Sequence, residues 1–85
     1  RMVAAAVAAR AGQADSARAA IAWARRQVGG DREQGLSLDY DEAAVRMLLG
    51  EREVARRLLA RYAAGRPALR AFLARDPLFR DLGRI

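Results

Sequence analysis

Apolar residues return every three or four positions along most of this chain, and glycines interrupt the rhythm. The run "MVAAAVAA" predicts a first helix from about Met2 to Ala11, stopped at Gly12, where a left-handed backbone costs glycine nothing. Asp15 and Ser16 are expected to restart the chain, since both accept backbone N–H groups at a helix start. Helix two then carries Ala14, Ala17, Ala20, Ile21, Ala24 and Val28 on one face and ends near Gly29 and Gly30. The segment "GGDREQGLS", residues 29–37, reads as a connecting loop. Asp39 followed three residues on by Glu42 predicts the start of helix three, with Tyr40, Ala44, Met47 and Leu48 as its stripe and Gly50 as its stop. Val54, Ala55, Leu58, Leu59 and Tyr62 form the apolar face of helix four. Pro67 suits the first position of helix five, whose core stripe is Leu69, Phe72 and Leu73. Asp76 and Pro77 predict the cap and first position of a last short helix holding Leu78, Phe79 and Leu82.

Gly12 and Gly50 lie 38 residues apart, each between two helices too short to bury anything alone. A tight link at each glycine predicts an antiparallel αα-hairpin. Ala5 and Ala43 lie seven residues before these glycines, and Ala17 and Ala55 five after, so small residues recur where paired helices must approach closely. Ile21 and Leu59, then Ala24 and Tyr62, follow in the same register. This pattern resembles the tetratricopeptide repeat.

The resemblance implies an all-α fold: two antiparallel helical hairpins in a right-handed superhelical array, closed by C-terminal capping helices. Residues 1–28 would be repeat one, 39–66 repeat two and 67–85 the cap, making one domain of 1–85. Arg1 and Asp39 stand where the family has a large residue at the front of the first helix, and the spacing exceeds the usual ~34 residues. The loop at 29–37 would absorb that excess. The resemblance further implies a groove lined by the first helix of each hairpin, formed by Met2, Ala6, Ala9 and Arg10 with Tyr40, Ala44, Met47 and Leu48. There a partner peptide or helix would meet Arg10 through an acidic group and Tyr40 as an aromatic anchor. Met47 and Leu48 equally suit packing against neighbouring helices. Family members that grip a C-terminal carboxylate use Lys and Asn along the groove, and this chain has neither.

Composition agrees with helices. Ala is about a quarter of the chain, so any core must be built by close approach rather than bulky side chains. All sixteen basic residues are Arg and the net charge is +6, but the arginines are scattered among acids. Such an Ala/Arg-rich, Lys-free composition fits coding bias in a GC-rich bacterial genome. The second functional reading is a nucleic-acid-binding domain with Arg25, Arg26, Arg56, Arg57 and Arg61 as a phosphate stripe; against it, Asn is missing and no base-reading helix stands out.

The absence of His and Cys, with only Ser16 and Ser37 as aliphatic hydroxyls, leaves no base poised beside a nucleophile, so no enzyme and no cofactor is expected. "DYDE", residues 39–42, lacks the alternation and glycine of a calcium loop. The spacings Glu42–Arg46, Glu53–Arg57 and Asp76–Arg80 read as solvated helix-face pairs. The longest apolar run is too short to cross a bilayer. In a repeat array the helix carrying Val3 and Val7 packs on the repeat before it, and Trp23 lies near the outer side of helix two, as a binding anchor or, on the simpler reading, covered by the loop at 29–37. Together these three residues are the candidates for self-association into a homodimer. The chain begins with Arg1 rather than Met, so it is expected to be the C-terminal segment of a larger bacterial, cytoplasmic protein with a further repeat upstream, acting as an assembly scaffold.

Overall fold

A computed structural model describes residues 2–82, and its regular structure is all-helical. The helices are α1 (Val3–Arg10), α2 (Ala14–Val28), α3 (Arg32–Leu48), α4 (Arg52–Gly65) and α5 (Arg70–Arg75), with single 3-10 turns at Pro67–Leu69 and Arg80–Leu82. No strand occurs among the described residues. Arg1, expected at the front of repeat one, and residues 83–85 of the expected cap lie outside the described residues.

The two glycine stops are built alike. Gly12 and Gly50 are left-handed, with φ of 77° and 79°. Gly12 N–H donates to the Ala9 carbonyl at 3.1 Å and Gln13 N–H reaches back to Ala8 at 2.9 Å. Gly50 N–H donates to Met47 at 3.0 Å and Glu51 N–H to Arg46 at 2.9 Å. The same two bonds satisfy orphan carbonyls at both helix ends and turn the chain within three residues. Ala5, Ala17, Ala43 and Ala55 have no exposed surface. Their lack of bulk lets α1 pack on α2 and α3 on α4. α3 also packs on α1 and α2, which makes it the central element.

The expected loop at 29–37 is a correction. From Arg32 onward it is helix, because Asp31 caps α3: its Oδ1 accepts Gln34 N–H at 2.9 Å, and the Gln34 side-chain amide donates back to Oδ2 at 3.4 Å. The second helical pair therefore starts at Arg32, not at residue 39, and the excess spacing is taken up by a longer helix. Asp39 and Glu42, expected as a cap, are buried inside α3. Asp15 and Ser16 also do not cap: α2 starts behind Gln13 without a side-chain cap, and Asp15 sits within its first turn. Ser37 lies within α3 and accepts a hydrogen bond from Arg66 at 3.2 Å.

Two apolar clusters result. The first joins Met2, Ala5, Ala8, Ala9, Ala17, Ile21 and Ala24 to Leu38 and Val45 of α3. The second joins Ala43, Ala55, Leu58, Leu59, Tyr62 and Ala63 to Leu73, Phe79 and Leu82. Phe79 and Leu82 are buried side chains from the tail, each contributing about 1.5–3 kcal/mol by leaving water. Asp76 accepts Leu78 N–H on Oδ1 at 2.9 Å, but it caps a turn and not the expected last helix, of which only the 3-10 turn at Arg80–Leu82 forms. Phe72, expected in the core, is exposed, since α5 is too short to bury more than Leu73.

Candidate functional site

α3 is held in place by charge as well as by apolar contact. Arg25 of α2 donates from Nε to Glu42 Oε1 at 2.8 Å, from Nη2 to Asp39 Oδ1 at 2.8 Å and from Nη1 to the Gly35 carbonyl at 3.2 Å. Arg61 of α4 grips Asp39 with Nε to Oδ2 at 2.9 Å and Nη2 to Oδ1 at 2.6 Å. Arg46 continues the chain of charges from Glu42 Oε2 (3.1 Å) to Glu51 Oε1 (2.9 Å), and Arg18 approaches Glu51 at 3.6 Å. Burial alone would push the Asp39 carboxyl up, but the Arg61 and Arg25 hydrogen bonds, followed by their charges, outweigh it and hold the group below its ordinary 3.8. Burial would likewise lower Arg46, yet its bonds to Glu51 and Glu42 raise it.

The Glu42–Arg46 pair is therefore not a solvated face pair but part of a half-buried network. Glu53 pairs with Arg56 at 3.4 Å rather than Arg57, and Asp76 turns to Tyr40, whose hydroxyl donates to Oδ2 at 2.6 Å.

On the side of α3 that meets α1 lies an open cleft of about 420 Å³. Met2, Val3, Ala6 and Arg10 form one wall; Asp41, Ala44, Val45 and Leu48 form the other; Leu78 of the tail closes it. Five of the eight residues singled out in the sequence for a groove (Met2, Ala6, Arg10, Ala44 and Leu48) come together here. Tyr40 and Met47 do not. They pack against the second cluster, where the Tyr40 ring meets Tyr62 and the edge of Phe79 at centroid distances of 5.4 Å each. Burial first, and then the bond to Asp76, push the Tyr40 hydroxyl up to about 12. Ala9 is buried in the first cluster. Leu78 was missed, since its place depends on how the tail returns across α3.

Trp23 is 56% exposed. The first turn of α3 lies beside it, with Gln34 and Leu38 lining the same shallow depression, and does not cover it. Val3 and Val7 stand 72% and 60% exposed on the outer face of α1. The supposed phosphate stripe is broken: Arg25 and Arg61 are committed to Asp39 and Arg56 to Glu53, while Arg26 and Arg57 make no ion pair among the described residues. Arg10, too, makes none among the described residues. Among the described residues no helix is long and apolar enough to cross a membrane. Comparison with family models, with curated proteins and with solved structures finds no match to this chain.

Proposed function

We propose that this chain is a tetratricopeptide-like interaction module that receives a partner peptide or helix in the cleft between α1 and α3. In this reading α1–α2 and α3–α4 are two antiparallel hairpins stacked in a right-handed superhelical sense, and the segment from residue 67 onward caps them. Support comes from the twin turns at Gly12 and Gly50, the four alanines without exposed surface, and α3 packing on both helices before it, as neighbouring repeats do. The observation that carries the function is the cleft: apolar at its floor, open to water, and edged by the Asp41 carboxylate on α3 and by the Arg10 guanidinium on α1, which has no ion-pair partner among the described residues. That is the composition of a recognition surface rather than of a reaction centre. A scaffold role is part of the same reading.

The test is peptide selection from a displayed library on the isotopically labelled chain, followed by mapping of amide shifts. Selected peptides are expected to move the amides of Ala6, Arg10, Ala44 and Leu48. The reading fails if they move only other regions. It also fails if the sole ligands are DNA or RNA whose affinity collapses between about 50 and 200 mM salt.

A further inference from the structure

The cleft constrains its occupant. Its volume, about 420 Å³, is in the range of small-ligand pockets, so it admits side chains rather than a whole helix. Ala6 and Ala44 keep the floor low between Met2 and Val45, while Val3, Leu48 and Leu78 leave apolar rim in contact with water. An apolar side chain entering there displaces water from both surfaces. At one end stands Arg10, in the last turn of α1, where the helix dipole favours a cation. Its planar fork matches a carboxylate in bidentate fashion.

A second copy of this chain is a poor match. Its large exposed apolar side chains outside the cleft each have an arginine three residues on: Trp23 has Arg26, Phe72 has Arg75 and Val7 has Arg10 itself, while the acid four residues after Phe72, Asp76, is held by Tyr40. Inserting any of them would bring a guanidinium towards Arg10, on top of the repulsion between two chains of charge +6.

Resting on the cleft reading above, we infer that the occupant is a segment of a different protein that places one or two large apolar side chains over Ala6 and Ala44, with an Asp or Glu one helical turn away reaching Arg10. Affinity comes from the apolar anchors and selectivity from the carboxylate.

The probes are two fluorescein-labelled Ala/Gln-based helical peptides of about 16 residues. Both carry Leu at positions i and i+4, and they differ only in Glu or Arg one turn beyond. Anisotropy titrations of the full chain are expected to favour the Glu peptide by about fivefold at low salt. Raising the salt shrinks that preference but leaves binding in place. Arg10→Gln abolishes the preference and Arg10→Glu inverts it; Arg10 is exposed, and circular dichroism checks that both variants fold. Leu48→Ser weakens both peptides.

Equal binding of the two peptides, weakened by Leu48→Ser, overturns the charge assignment and leaves the interaction module standing. A dimer that Arg10→Glu or Leu48→Ser dissolves overturns it in favour of a second copy. Failure of both peptides to bind overturns the inference, and if library selection also yields no cleft binder, the module reading falls with it.

Discussion

Asp39→Asn removes one charge from the most enclosed point of the ionic network and changes almost nothing in shape. Asp39 is 2% exposed and accepts three charge-assisted hydrogen bonds, one from Arg25 and two from Arg61. The asparagine retains one acceptor and turns an NH2 group towards guanidinium donors. Removing one partner of a fully buried ion pair costs about 3–5 kcal/mol. Here the arginine side chains are 28% and 63% exposed and can turn to water, and Arg25 keeps Glu42, which brings the expected loss to about 2 kcal/mol. For a domain of this length that lowers Tm by about 8–16 °C. Urea unfolding followed by far-UV circular dichroism measures the free energy directly. The pH dependence carries the sign: Asp39 binds its proton less readily folded than unfolded, so its contribution is present above 3.8 and is lost as pH falls through the lower folded value. The advantage of the parent chain over Asp39→Asn must therefore shrink in acid. A loss under about 0.5 kcal/mol would refute the assignment of a stabilising role to this network, as would a gap that stays constant down to the acid limb.

Gly12→Ala and Gly50→Ala each force a left-handed alanine into space where the new methyl meets nothing within 4 Å, so the cost is purely backbone strain, about 1–2 kcal/mol apiece and similar at both sites by thermal melts. Tyr40, unlike an ordinary tyrosine at 10.0, ionises near 12 in the folded chain; its contribution to stability is full below pH 10 and declines above it, and ultraviolet titration should show its phenolate appearing together with unfolding, an outcome that a tyrosine titrating normally in the folded chain would contradict. Trp23 fluorescence is expected to be red-shifted and readily quenched by acrylamide, and Trp23→Ala to cost under 1 kcal/mol; a blue-shifted, shielded indole would mean that the face is covered in solution. Hydrogen exchange should be fastest in α1, whose cluster relies on alanines, and slowest in α3 and α4, which share Leu58, Leu59, Tyr62 and Phe79.

How much of this could be read in the sequence depends on whether the deciding interaction was local. The turns at Gly12 and Gly50 were legible because a left-handed glycine and small residues at fixed offsets settle them within a dozen positions. The start of α3 was not. Asp31 with Gln34 and Asp39 with Glu42 offer the same capping pattern eight residues apart, and nothing local separates them. The choice is made by Arg25 and Arg61, on two other helices, which find both carboxylates only if α3 has already begun. The single stripe read for α3 failed because its most buried positions (Leu38, Asp39, Glu42, Ala43 and Val45) share a face that includes two acids, whereas Tyr40, Ala44, Met47 and Leu48 lie on the other side of the helix. Of the cleft's lining, Met2, Ala6, Arg10, Ala44 and Leu48 are among the groove residues read from the sequence, whereas Val3, Asp41 and Val45 are not and Leu78 requires the path of the tail.

In the proposed reading the same network bears on recognition. Alanine faces such as those of α1 and α2 have few knobs to fix one helix against the next, so apolar contact alone leaves the angle between the helical pairs weakly specified. Directional bonds from Arg25 and Arg61 to one carboxylate do specify it, because sliding α3 by a turn would break all three at once. Asp41, Ala44, Val45 and Leu48 ride on that helix as one wall of the cleft. The buried charges thus set the wall's distance from Met2, Ala6 and Arg10, and a cleft spaced in advance loses less entropy when a partner enters.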